Sequence, residues 1–143
     1  VRLVQASACE VGRQELRSLL VAREFFVNKL RDHENDIRGL LRPFGLKVGA
    51  VSASGFAGRV RELVGGNRRL DVYIGALLDG RAAMMEQLAN LHRELLRTTA
   101  NDELCRRFMT IPGVGPVTAL AFKTTIDDPT RFRRSATSVH ISV

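Results

Sequence analysis

The stretch Thr110-Ile111-Pro112-Gly113-Val114-Gly115-Pro116-Val117 lies between one short helical pattern and another, and its composition makes it a tight turn joining two helices. Two glycines separated by one residue let the backbone turn sharply and leave peptide N–H groups uncovered, and Pro116 suits the first position of a following helix. A helix N-terminus with open N–H groups attracts anions. Upstream, Asn101 is placed to cap a short helix over residues 102–109, with acids at its start and arginines at its end as the helix dipole favours. Downstream, residues 117–126 form a second helix whose small residues Thr118, Ala119 and Ala121 allow close packing on the first. The pattern is a helix-hairpin-helix.

Such a hairpin places the N–H groups of Gly113, Val114 and Gly115 against a phosphate, with Lys123 one or two turns behind and Arg106 and Arg107 on the flanks. Arg131, Arg133 and Arg134, around Phe132, extend the candidate nucleic-acid footprint, and residues 104–134 hold six basic and two acidic side chains. Phosphate contacts of this kind fix position without reading base sequence. Pro-Gly-Val-Gly alone also fits an ordinary helix-helix turn.

Working toward the N-terminus, Ser7-Ala8-Cys9-Glu10 has the form of a capping box and predicts a helix start there. Leu16, Leu20, Val27, Leu30, Ile37 and Leu41 follow at heptad spacing, with Arg23 and Glu34 as polar interruptions, until Pro43 and Gly45 stop the pattern. The predicted helix, residues 8–42, is about 34 residues and roughly 50 Å long. Residues 43–55 read as a connector, and residues 55–64 as a short amphipathic helix ended by Gly65-Gly66-Asn67. A second long helix, residues 68–99, carries Leu70, Ile74, Leu77, Met84, Leu88, Leu91 and Leu95 at the same spacing, with Arg81 as its one polar seam position. Two long seams joined by a short connector predict an antiparallel coiled-coil hairpin. Their polar interruptions leave room for a further helix, from this chain or a second copy. The arginines around the seams read either as a solvated face or as nucleic-acid contacts.

The 143 residues are 45% hydrophobic but only 6% aromatic, with no tryptophan, which suits helices packed through Leu, Val and Ala. Net charge is +7, from 19 arginines and 3 lysines against 15 acids, and favours a polyanionic partner. No run of 18 apolar residues and no signal peptide is visible, so a soluble, cytoplasmic protein with no membrane association is expected. Cys9 and Cys105 stand far apart and read as reduced structural thiols, and His33, His92 and His140 have no metal-ligand spacing. Met84-Met85 reads as core packing, and Asp127-Asp128 before Pro129 reads as a capped turn in preference to a metal pair. No metal and no cofactor is expected in this chain.

The run Cys105-Arg106-Arg107-Phe108-Met109-Thr110-Ile111-Pro112-Gly113-Val114-Gly115-Pro116-Val117-Thr118-Ala119-Leu120, continuing to Asp127-Asp128-Pro129-Thr130-Arg131-Phe132, resembles the start of the C-terminal domain of DEDD-type insertion-sequence transposases. This is the "one-ten" family, also described as bridge-RNA-guided recombinases. Ile37-Arg38-Gly39-Leu40-Leu41-Arg42-Pro43-Phe44-Gly45-Leu46-Lys47-Val48-Gly49, Arg59-Val60-Arg61-Glu62-Leu63-Val64 and Leu91-His92-Arg93 resemble its linker region. The blocks occur in family order along most of residues 10–134.

The resemblance implies a parent enzyme with a RuvC-like domain bearing four acidic Mg²⁺-binding residues, a coiled-coil linker and a C-terminal domain with a nucleophilic serine. It implies DNA strand exchange, with DNA and a structured guide RNA as partners. On that pattern residues 1–100 are the coiled-coil linker region, 101–134 open the C-terminal domain, and 135–143 are an atypical tail. The chain starts at Val1 without methionine, and its last residues depart from the family's glycine-rich continuation. A truncated or frameshifted copy is therefore expected. Ser135, Ser138 and Ser142 lack the surroundings of a nucleophile, so no catalytic residue is assigned.

The sequence thus predicts an all-α transposase fragment that oligomerises through its coiled coil and binds nucleic-acid backbone but does not cleave it. The competing expectation is a dimerisation module without nucleic-acid binding.

Overall fold

The computed structural model describes residues 2–126, with side chains from residue 12 onward. Among the described residues every regular element is helical: α1 Arg2–Leu41, a 3₁₀ turn Arg42–Phe44, α2 Phe56–Val64, α3 Arg68–Ala100, α4 Glu103–Phe108 and α5 Pro116–Ile126. The all-α expectation holds. No described helix is long and apolar enough to cross a membrane.

The helix boundaries follow local chemistry with two departures. α1 begins at Arg2 and not at Ser7, because residues 2–6 contain no glycine or proline and the helix simply continues through the capping-box motif. Its C-terminus closes as a Schellman motif around Gly45, whose φ of 74° suits glycine. Gly45 N–H donates to the Arg42 carbonyl at 2.9 Å, and Leu46 N–H donates to the Leu41 carbonyl at 3.3 Å. Asn67 caps α3, its Oδ1 accepting from Leu70 N–H at 3.1 Å. The second departure is at α4. Asp102, not Asn101, is its N-cap, accepting from Cys105 N–H at 2.8 Å, while Asn101 N–H still bonds to Arg97 at the end of α3.

The chain divides into two compact units. In Arg23–Leu91, α1 and α3 run antiparallel: Glu34 meets Arg81, and further along Ile37 and Leu41 share a core with Ile74 and Leu70. α2 completes that core with Phe56, Val60 and Val64, a spacing of four residues that keeps all three on one face. The buried positions of α3 here are Leu70, Ile74, Leu78 and Arg81, a drift close to the natural helix period and not a strict heptad. Leu77 is accordingly only partly buried, its carbonyl accepting from the His33 ring at 2.8 Å. Val27, a seam position by spacing, stays 38% exposed.

The second unit, Val1–Ala22 with His92–Val143, is described over residues 2–22 and 92–126. Leu95, Cys105, Ala119 and Leu120 form its buried centre, and Leu16, Leu19, Leu20, Phe108, Met109, Val114 and Val117 pack around them. Arg17 donates to the Thr124 carbonyl at 3.0 Å, fastening α5 to α1 within this unit.

Candidate nucleic-acid interface

The hairpin sits on a scaffold made by α4 and α5. Cys105 faces inward from α4 and is fully buried against Ala119 and Leu120, and the Phe108 and Phe122 rings approach at 6.1 Å. Small residues on α5 permit this closeness, as their positions in the sequence suggest. Burial pushes the Cys105 thiol up to about 11, with the neighbouring Asp102 carboxylate adding to the effect.

The turn itself is built from overlapping backbone bonds. Met109 N–H donates to Cys105, Thr110 N–H to Arg107, Ile111 N–H to Phe108 and Val114 N–H to Ile111, all at 3.0–3.3 Å. Gly113 has a φ of 86°, where an L side chain is strained even though nothing lies within 4 Å of a Cβ placed there. Gly115 caps α5, its carbonyl accepting from Ala119 N–H at 2.9 Å. Among the described residues, the N–H groups of Gly113 and Gly115 have no acceptor, whereas the Val114 N–H is consumed by the turn.

The charged candidates divide. Arg106 and Arg107 are exposed, make no ion pair among the described residues, and line a shallow depression of about 260 Å³ with Glu103 and Thr110. Thr110 is held there by its hydroxyl, which donates to the Arg107 carbonyl at 2.7 Å. Lys123 is elsewhere engaged: its ammonium pairs with the Asp102 carboxylate, tying the middle of α5 to the start of α4. Partial burial pushes the Asp102 carboxyl up, but hydrogen bonds from Lys123 and the Cys105 N–H outweigh it and hold the group below its ordinary value of 3.8. Arg131, Arg133 and Arg134 lie outside the described residues, as do the candidate turn at Asp127-Asp128 and the tail serines.

Sequence reasoning missed the Asp102–Lys123 tie. Its signal was available only as two opposite charges 21 residues apart on helices that were expected to pack. No group of three or more His, Cys, Asp or Glu side chains that could hold a metal ion occurs among the described residues. Among the described residues the segment thus leaves two peptide N–H groups in the turn and two guanidinium groups on α4 without partners.

The match to known proteins coincides with this geometry. The family model of the IS116/IS110/IS902 transposases matches residues 105–140, a span that takes in α4 from Cys105 onward, the turn and α5. Over 140 residues the chain is 31% identical to the transposase for insertion sequence element IS1111A from Coxiella burnetii (strain RSA 493 / Nine Mile phase I), covering 94% of this chain and 38% of that protein. No solved structure matches the chain. The family model on the hairpin, with a similarity that extends through both long helices, shows that the chain belongs to the IS116/IS110/IS902 transposase family.

Proposed function

We propose that the chain serves in DNA transposition, with its α4-turn-α5 segment gripping the nucleic-acid backbone at one phosphate. The observation that carries this reading is that one α4-turn-α5 segment holds open N–H groups at Gly113 and Gly115 and two exposed α4 arginines with no ion pair among the described residues. Two oriented N–H donors at a helix start bind an anion without side-chain cost, and guanidinium groups on the flank add the charge that draws a phosphate in. Lys123 acts at one remove, holding Asp102 and so the geometry of α4. The family assignment makes DNA the natural polyanion, and the +7 net charge suits it. A guide RNA remains a second phosphate-bearing partner within the same reading.

Strand cleavage is assigned to no residue of this chain, and the long helices are given the role of spacer and oligomer seam. The exposed Val21, Phe25 and Val27 on α1 favour that second role. The test is binding of the full chain to duplex DNA across a salt series. Phosphate contact makes log K fall linearly with log salt, by roughly 0.9 per contact. Arg106→Ala with Arg107→Ala should flatten that slope by about one to two contacts. A slope unchanged by the double substitution would place the phosphate elsewhere.

A further inference from the structure

Tyr73 is the only tyrosine of the chain, which has no tryptophan, and on α3 it lies 65% exposed beside Val72, 64% exposed. With Arg68 and Arg69 these two side chains line a depression of about 340 Å³. Both arginines are exposed and have no ion pair or side-chain hydrogen bond among the described residues, and Asp71 is the one acid on the same turn. Of the other aromatic rings of the Arg23–Leu91 unit, Phe25, Phe26 and Phe56 have a cation or a second ring against them, whereas Phe44 is also exposed but has no arginine pair lining a depression with it among the described residues. Lys29 lies over Phe25, which also meets Phe26 edge-on, and Arg38 and Arg81 lie over Phe56 at 4.8 and 4.9 Å. No cation and no second ring lies over Tyr73 among the described residues. Its faces are open.

Charge in the sequence leading up to this ring is one-sided. Residues 38–73 hold seven basic and two acidic side chains, and Arg42 and Lys47 line a further groove of about 460 Å³ in the same unit. An open aromatic face flanked by unpaired guanidinium groups is the arrangement that binds single strands: a base stacks on the ring while neighbouring phosphates meet the cations. An acidic peptide would use the arginines and leave Tyr73 and Val72 in water. A duplex buries its base faces in its own stack and has none to offer the ring.

We propose that Tyr73, Arg68 and Arg69 form a second nucleic-acid contact, which takes an unpaired stretch of DNA strand with one base on Tyr73 and adjacent phosphates on the two arginines. It is independent of the hairpin grip and lies in the other compact unit.

Because the chain has one tyrosine and no tryptophan, its intrinsic emission reports on Tyr73 alone. The full chain is titrated with single-stranded oligo(dT), with duplex DNA of equal length and with oligo(rU), each corrected for absorbance. Saturable quenching by oligo(dT) is expected, with much less from the duplex. By anisotropy of labelled oligo(dT), Tyr73→Ala should weaken binding about tenfold and Tyr73→Phe should retain it. Arg68→Ala with Arg69→Ala should lower the salt slope by about one to two contacts, at roughly 0.7 per contact for a single strand. Gly113→Val should leave the quenching intact, which separates this contact from the hairpin. Oligo(dT) binding without quenching, no binding, or equal affinity for Tyr73→Ala of unchanged helicity would each overturn the proposal. Stronger quenching by oligo(rU) would overturn the choice of DNA.

Discussion

The guanidinium of Arg81 and the carboxylate of Glu34 join the two long helices across the core of the Arg23–Leu91 unit. Nε of Arg81 donates to Glu34 Oε1 at 2.7 Å, and Nη2 lies 2.6 Å from the same oxygen and donates to the Ala53 carbonyl at 2.7 Å. Only 4% of Arg81 is exposed, and its planar face rests on Phe56. Two of the three polar seam positions, Glu34 and Arg81, are therefore each other's partners, and neither requires a further helix to satisfy it, whereas Nε of the third, Arg23, is buried without a hydrogen-bond partner among the described residues.

Glu34→Gln leaves a buried guanidinium without its counter-charge, and Glu34→Ala removes the acceptor as well. The alanine variant should lose about 3 kcal/mol in urea unfolding. Arg81→Met, which keeps the volume and removes the charge, should lose less, since apolar replacement of a buried pair is often close to neutral. A smaller loss for Glu34→Ala than for Arg81→Met would contradict the pairing as described.

Gly39 and Gly45, six residues apart, should respond to alanine in opposite directions. Gly39 lies inside α1 with nothing within 4 Å of a new Cβ, so Gly39→Ala should stabilise by about 0.5–1 kcal/mol. Gly45 holds the left-handed position of the Schellman motif, so Gly45→Ala should destabilise by about 1 kcal/mol. Thermal unfolding of the two variants beside the parent chain checks both signs.

Acid should loosen the α4-α5 scaffold through Asp102. Its folded value lies below the ordinary 3.8, so the native state holds this carboxylate more tightly ionised than the unfolded chain does. The resulting stability is present above pH 3.8 and fades as pH falls through the lower folded value. Asp102→Asn should remove that part of the acid dependence. Unfolding free energies of the two proteins compared between pH 6 and pH 3 measure it, and a parallel decline of both would exclude Asp102 as the group responsible.

Much of this fold was legible where the determinants are local. The limits of α2 follow from Phe56, Val60 and Val64 on one face with Gly65-Gly66 beyond, and α5 starts at Pro116 because proline loses nothing at a first helical position. The turn at Gly113 was legible for the same reason, since its positive φ selects glycine. Asn101 and Asp102 are both good caps, and only the position of the Cys105 N–H decides between them. The rest is non-local. Glu34 with Arg81 and Asp102 with Lys123 are pairings across 47 and 21 residues, and heptad counting assigns no partner to a polar seam residue. Lys123 thus reads in sequence as a free cation behind the hairpin, and packing turns it inward.

The most direct measurement follows the backbone amides of Gly113 and Gly115 by heteronuclear NMR while the full chain is titrated with duplex DNA. A phosphate seated on the hairpin should shift both resonances downfield in step with binding, move Val114 less because its N–H is already bonded to Ile111, and lose these shifts in Gly113→Val. Glycine amides that stay in place while the DNA is bound would contradict the hairpin grip.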